Sequence, residues 1–334
     1  MKALIYAGPK QAVLKDVPAP AAREGAVKVD VRYCGVCGSD IGIYLGTHPR
    51  AKAPLVFGHE FLGVVAEDGK KFKKGDRVVA YPLLSCGHCR ACRTGSAHVC
   101  NTLGLIGIDV DGGMCEELYV DEDVLFKVPD GVSDRAAVVT EPLAVILRAV
   151  HQAEFKARDV AVVIGAGPIG MLAAMTALAY GAEPIMIDLV EERLLQAKQL
   201  GVRYTIDLRK ENAEEKVREY TGGNMAHLVM ECSGANAAVR STLDLVCNAG
   251  RITLTGWPKN ETPLPTDVIT KKEVDIRGAR TSANEFEEAI RLIHSGQVDA
   301  RQILTKTVSL DEAADTIRDI EKNPGNYMKV NVMI

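Results

Sequence analysis

Tryptophan occurs once in this 334-residue chain, and Phe, Trp and Tyr together make up only 5% of it. Flat stacking surfaces for nucleic-acid bases are therefore scarce. Basic blocks are missing as well. The formal net charge is −4, and no cluster of Lys and Arg offers a footprint for a phosphate backbone. Apolar runs stop early, at a glycine-rich turn or at a charge, and none is long enough to cross a bilayer. Internal repeats and low-complexity tracts are absent. The opening "MKALIYAGPKQAV" has too short an apolar run for a secretory signal and meets Gly-Pro at once. It reads as a strand of a cytoplasmic protein. What remains is an ordinary globular composition, 47% hydrophobic and 25% charged, in a chain too long for one core. Two domains are expected.

Cysteine is not scarce. There are nine, and four of them crowd into "SCGHCRACRTGSAHVC" as C-x2-C-x2-C-x7-C: Cys86, Cys89, Cys92 and Cys100. In a reducing compartment such crowding points to metal sooner than to disulfides. Four thiolates in one loop close a tetrahedron around zinc with no open position, the pattern of a structural site. An iron–sulfur cluster is the competing reading, but the C-P ending is missing and a lone cluster needs a redox partner. Arg90 and Arg93 could offset the charge of the thiolates. His88 and His98 are expected to be solvated, since four sulfurs saturate the ion.

Up to about residue 130, short β-branched runs such as "AVKVDVRYCG", "FLGVVAEDG" and "DRVVAY" alternate with Gly, Pro and Asp. That rhythm suggests an irregular, partly closed β-barrel. "DRAAVVTEPLAVILRAVHQA" then turns helical, with Pro142 at a helix start or kink. From "RDVAVVIGAGPIG" onward strands and helices alternate, which predicts a parallel sheet covered on both faces, an α/β domain. After "VDIRGAR" an amphipathic helix and a short tail ending in "KVNVMI" are too little for a third domain. The tail is expected to pack back on the first one. The expected domains are 1–148 with 283–334, and 149–282.

"VVIGAGPIG" carries G-x-G-x-x-G at Gly165, Gly167 and Gly170, after an apolar strand and opening a helix. Asp188 ends the next strand 23 positions after Gly165, completing a dinucleotide-binding fingerprint. The first glycine permits the tight turn, the second lets backbone approach a pyrophosphate, and the third lets helix and strand pack closely. Pro168 and Ile169 belong to the same turn. Asp188 would accept from the adenosine ribose and repel a 2′-phosphate, favouring NAD over NADP. Arg193, one helical turn on, could flank the adenine, and Gly256 ends a later strand of the same domain. A glycine-rich turn serving helix packing alone is the plainer alternative.

Outside the cysteine loop, metal-binding groups occur at three places: Cys37 in "YCGVCGSDIGIY", His59 and Glu60 in "FGHEF", and Glu141 in "EPL". Carboxylates in such apolar settings need a partner or a metal. One thiolate, one imidazole and one carboxylate leave a fourth position open, as catalytic zinc requires. Alone, His59 would read as a satisfied core histidine.

Taken in order, "CGVCGSD", "GHE", the four-cysteine lobe, "GGMCEE", "EPLAV" and "GAGPIG" resemble a zinc-dependent medium-chain dehydrogenase of the polyol branch, the group of sorbitol, xylitol, butanediol and threonine dehydrogenases. The resemblance spans essentially the whole chain. It implies a GroES-like catalytic domain beside a Rossmann domain, two zinc ions, NAD, and a homodimer or homotetramer without nucleic-acid or membrane partners. It places catalytic zinc on Cys37 and His59, with Glu60 and Glu141 sharing the remaining position. Ser39 would pass on the alcohol proton and Asp40 would brace His59. Cys34, Cys115, Cys232 and Cys247 are left as small buried residues. The implied reaction is the reversible oxidation of a secondary alcohol to a ketone. Many relatives carry a relay histidine where this chain has Gly42, so water, Tyr44 or His48 must complete the proton path. Arg148 stands where relatives often have His and is expected on a solvated helix face. "GARTSANEF" and the run before "GHE" look like dehydrogenases of sugar acids such as L-galactonate and L-gulonate. Arg280 could then hold a substrate carboxylate, with Tyr44 as a second candidate substrate residue, though a structural ion pair is an equal reading of Arg280. A threonine-type amino-alcohol dehydrogenase is the alternative, and an idle zinc- and NAD-binding protein a further one.

Overall fold

The segment Ala26–Val36 alternates buried and exposed residues for most of its length, as a strand with one covered face should. In the computed structural model, which describes residues 1–334, it is the centre of the first of two units. That unit holds Met1–Glu141 and Phe286–Ile334. Besides a two-residue pair, Leu83–Leu84 with Gly104–Leu105, its strands before the second unit are β1 (Lys2–Gly8), β2 (Gln11–Asp16), β3 (Ala26–Val36), β4 (Leu55–Val56), β5 (Glu60–Val65), β6 (Arg77–Ala80), β7 (Glu117–Asp121) and β8 (Leu125–Lys127). Strands β2, β1 and β4 form one small antiparallel sheet. In the larger sheet β3 pairs with β5 and with β7, and β6 and β8 extend it beyond β5. Leu4, Phe57, Phe61 and Met114 are buried between them, each worth about 1.5–3 kcal/mol of transfer free energy. A seven-residue helix, α1 (Gly38–Tyr44), follows β3 directly.

Helix α2 (Thr140–Gln152) leads into the second unit, Pro142–Glu285. Pro142 lies in its first turn, where a missing N–H costs nothing. The apolar runs β9 (Val160–Ile164), β10 (Glu183–Asp188), β11 (Tyr204–Asp207), β12 (Ala226–Glu231), β13 (Val246–Leu254) and β14 (Asp275–Gly278) follow. All pair in parallel, in the order β11-β10-β9-β12-β13-β14. This is the doubly wound dinucleotide-binding order, in which ligands sit at the carboxyl ends of the strands. Helices α3 (Pro168–Ala179) and α4 (Glu191–Gln199) follow β9 and β10.

The chain then returns to the first unit through β15 (Leu304–Ser309) and β16 (Lys329–Met333). Strand β16 pairs with β3, setting Asn331 opposite Gly35 and Val332 opposite Cys34. The sequence puts the domain boundaries at 148/149 and 282/283, whereas the units part at 141/142 and 285/286. The first boundary carries no loop or composition change because α2 runs through it unbroken. No helix is long and apolar enough to cross a membrane.

Candidate active site and cofactor site

Cys37 occupies the position just before α1, where β3 ends. His59 and Glu60 lie at the start of β5, whose register puts Glu60 opposite Gly35. Strand pairing thus brings residues 37, 59 and 60 together, with one ligand atom from each within 4.8 Å of the others. His59 is buried. Ser39 Oγ lies 3.4 Å from its Nε2. On the other side of the ring, Asp40 Oδ1 lies 3.9 Å from Nδ1, and both atoms are buried without a hydrogen-bond partner. Asp40 Oδ2 accepts from the Cys37 amide at 2.8 Å, so one carboxylate holds the Cys37 backbone and faces the imidazole. An orphaned Nδ1 opposite an orphaned carboxylate oxygen suits an imidazole that bonds Asp40 through one nitrogen and a metal through the other. The donor set of thiolate, imidazole and carboxylate fits zinc.

The electrostatics carry the same imprint. Burial alone would depress His59, but the Cys37 thiolate, Asp40 and Glu141 around it hold its pKa well above the ordinary value. Burial raises Asp40, opposed by His59. Glu141, in the first turn of α2, is pushed up to about 7 by burial, with His59 opposing the shift and Glu60 adding to it. Glu141 stands outside the tight group of 37, 59 and 60 yet feels both His59 and Glu60.

Sequence reasoning missed Lys329. It lies on β16, almost fully buried, and its Nζ bonds Glu60 Oε2 and, at 3.0 Å, the Val36 carbonyl. Burial lowers its pKa, but Glu60 and Cys37 outweigh this and raise it. The pair fits only because residue 35 is glycine: a Cβ there would lie 2.2 Å from Glu60 Oε2 and 3.2 Å from Lys329 Cε. The one available signal was a lysine opening the apolar run "KVNVMI". Cys34, by contrast, is a fully buried thiol with no metal partner, its pKa raised by burial.

In the cysteine lobe all four sulfurs gather within 4.8 Å. Cys89–Cys92, Cys86–Cys92 and Cys89–Cys100 are 3.5, 3.9 and 3.9 Å apart, close to the ~3.8 Å edge of a tetrahedral site with 2.3 Å zinc–sulfur bonds. All nine cysteines are free thiols. The Cys86 amide pulls Cys100 down to about 6, while burial pushes Cys92 up to about 11. Residues 86–100 therefore fit a closed zinc site. Of the two histidines expected in solvent, His88 is exposed but His98 is buried, so that expectation fails for His98. The short 3-10 turn Ala97–Val99 that leads to Cys100 carries it inward.

In the second unit, Gly165 has φ +100, a conformation open to glycine. A Cβ on Gly170 would lie 1.7 Å from the Gly165 carbonyl, and one on Gly167 would meet nothing within 4 Å. Turn, open approach and tight helix packing are thus divided among the three glycines. Pro168 opens α3 and Ile169 is half-buried beside it. Asp188 Oδ2 accepts from the Ala166 amide at 2.5 Å, and Oδ1 from Leu189 and Val190 at 2.7 and 2.8 Å. It ties the glycine turn to the end of β10 while keeping lone pairs for a hydroxyl. Arg193 lies on α4, half-buried. A Cβ on Gly256 would strike Gly234 N at 2.2 Å and Glu231 Oε2 at 2.4 Å. Glu231, a second residue the sequence did not reveal, is fully buried and accepts from Ser233 and Gly234, organising this end of the sheet.

The candidate substrate residues separate. Tyr44 is buried in the core of the first unit. A Cβ at Gly42 would make ordinary contacts with Thr47 Oγ1 and with His48 Cβ, at 3.8 and 4.0 Å. His48 therefore flanks the position that lacks a side chain, and its Nδ1 accepts from Arg50 and Ala51 amides at 3.4 and 3.3 Å. Arg148 is not on a solvated face. It is mostly buried, 3.8 Å from Glu285, which also faces His151 at 3.2 Å. Arg280 has no ion pair; its guanidinium stands over the Trp257 ring.

Residues 23–130 match the alcohol dehydrogenase GroES-like domain and residues 168–295 the zinc-binding dehydrogenase family. A sorbitol dehydrogenase of Halalkalibacterium halodurans is 35% identical over 93% of this chain and 94% of its own length. A 2-dehydro-3-deoxy-L-galactonate 5-dehydrogenase of Pseudoalteromonas atlantica is 33% identical over 97% and 96%. The solved NADH complex of the alcohol dehydrogenase rspB from Escherichia coli CFT073 superposes with a TM-score of 0.92 at 31% identity, covering 100% of this chain and 99% of that one. With a GroES-like unit, a Rossmann-type unit and these full-length relatives, the chain belongs to the zinc-type medium-chain alcohol dehydrogenase family, an oxidoreductase family.

Proposed function

We propose that this chain catalyses the reversible oxidation of a secondary alcohol of a polyol or sugar acid to a ketone, with NAD as hydride acceptor. Cys37, His59 and a carboxylate, Glu60 or Glu141, would hold a catalytic zinc; Cys86, Cys89, Cys92 and Cys100 would hold a structural one. Bound at the first site, zinc supplies Lewis acidity that lowers the pKa of the alcohol hydroxyl. The chain's own groups do the rest. Asp40 fixes the His59 ring and the Cys37 backbone. Ser39, 3.4 Å from His59 Nε2, takes the hydroxyl proton. The 165–170 turn receives the pyrophosphate of NAD, and Asp188 accepts from the adenosine ribose and repels a 2′-phosphate. Arg193 and Gly256 complete the cofactor residues. A homodimer or homotetramer is the proposed assembly.

The observation that carries this reading is the Cys37–His59–Glu60 group with Ser39 on one side of the imidazole and Asp40 on the other. Ser39→Ala tests it. Losing a positioned proton carrier lowers kcat by about 10²-fold or more while zinc content stays at the wild-type level. A kcat within twofold of wild type contradicts the role of Ser39.

A further inference from the structure

We infer that the ion network of Asp207, Arg209, Lys210 and Glu191 is a second determinant of cofactor choice, keeping two cations from a 2′-phosphate so that the site takes the unphosphorylated dinucleotide; this rests on the NAD reading above. Strands β10 and β11 end side by side, with Asp188 paired to Asp207 and the Leu208 amide bonded to the Asp188 carbonyl at 3.1 Å. Arg209 and Lys210 follow at once, beside the strand end that would hold the adenosine ribose. Such a pair of cations suits a phosphate monoester, which carries a charge of about −2 at neutral pH. Both are already taken. Arg209 grips Asp207 with two parallel bonds, Nε to Oδ1 at 3.1 Å and a terminal nitrogen to Oδ2 at 3.0 Å. Lys210 Nζ lies 2.6 Å from Glu191, in the first turn of α4, and 3.6 Å from Asp207. Two carboxylates thus answer two cations.

Release of Arg209 is disfavoured by what it would leave behind. Asp207 is buried although Arg209 is exposed, and the guanidinium holds its carboxyl down at about 2. A phosphate that drew the guanidinium away would strand that carboxylate beside its own negative charge. Asp207 Oδ1 also accepts from the Arg209 amide at 3.0 Å, which fixes the turn after β11. Asp188 by itself is a weaker barrier. Its two oxygens already accept from three backbone amides, those of Ala166, Leu189 and Val190, which offset part of its charge. The repulsion assigned to Asp188 is therefore shared with its neighbours: Asp207 and Glu191 act on specificity through Arg209 and Lys210.

ADP-ribose and 2′-phospho-ADP-ribose carry the adenosine end without nicotinamide, so they probe this end of the site without turnover. Each is titrated by calorimetry into the full chain. The wild type should bind ADP-ribose about tenfold or more tightly than its phosphorylated form. Asp207→Asn keeps the acceptor that fixes the turn but loosens the guanidinium. It should tighten 2′-phospho-ADP-ribose about tenfold or more and leave ADP-ribose within about threefold. Adding Arg209→Gln should cancel that gain, which mere loss of a negative charge would not allow. Glu191→Gln, an exposed change that spares the turn, should tighten the phosphorylated ligand by about threefold through Lys210. An Asp207→Asn protein that binds ADP-ribose normally and gains nothing for the phosphorylated form overturns the inference and leaves the NAD preference to Asp188. So does a gain that survives Arg209→Gln or, should Asp207→Asn impair folding, an unmoved affinity in Glu191→Gln. Equal binding of the two ligands by the wild type refutes the NAD preference itself, and the inference with it.

Discussion

At the scale of single residues, the most consequential pair is the one the sequence hid. Glu60 and Lys329 are 269 positions apart and meet only because β16 lies beside β3. Removing the ammonium leaves a buried carboxylate without its partner, so Lys329→Met should cost about 3–5 kcal/mol in denaturant unfolding. A loss below 1 kcal/mol would show that Glu60 finds another partner. Gly35→Ala should also destabilise, by about 1–3 kcal/mol, since its methyl group collides with the same carboxylate. His48 is the residue beside the gap at Gly42. Burial and Arg50 lower its pKa, while Asp109 pulls it up and His59 lowers it further. If His48 carries the proton onward, alcohol oxidation falls as pH drops through a value below the ordinary ~6.5, because only neutral imidazole accepts a proton. His48→Asn should erase that break in the kcat profile; a profile unchanged in the variant leaves water as the carrier. Cys37, His59, Asp40 and Asp188 were legible because their types and spacings are chemically specific. Lys329 and Glu231 were not, since burial and long-range pairing leave no local signature.

At the scale of elements, the strand–helix alternation of the second unit was readable because each apolar run is short and punctuated by glycine or a charged turn. One boundary was not. In the run "NAAVRSTLDLVCNAG" the helix Asn236–Leu245 stops and β13 begins at Val246 with no glycine or proline between them. Pairing of Val246 with Ala226 on β12 overrides local preference there. The four-cysteine lobe was legible from spacing alone, because consecutive thiols in one loop can gather without help from the rest of the fold. Replacing Cys92 with Ser should lower the zinc content by one ion per chain and the thermal midpoint by several degrees, measured by elemental analysis and calorimetry. An unchanged zinc content would contradict a four-thiolate site. Arg148 was misread because the helix face that carries it is covered by Glu285, a residue from the far end of the same unit.

At the scale of the whole molecule, two units of different architecture share one chain, and the second interrupts the first. The tail returns to complete the sheet that carries Cys37 and Glu60. The glycine turn and Asp188 belong to the interrupting unit and the Cys37–His59–Glu60 group to the other, so on the proposed reading cofactor choice can be altered without touching the metal group. Asp188→Ala should accordingly narrow the ratio of kcat/KM for NAD over NADP by tenfold or more while leaving zinc content unchanged. An unaltered ratio would show that Asp188 serves the turn alone. The most direct test of the central claim is reduction of NAD, followed at 340 nm, by the zinc-loaded protein offered alditols, aldonates and L-threonine in turn. Turnover is expected with secondary alcohols of the first two groups, and its loss in Cys37→Ser. Turnover with threonine alone, or none with any alcohol by a protein holding two zinc ions and NAD, would contradict it.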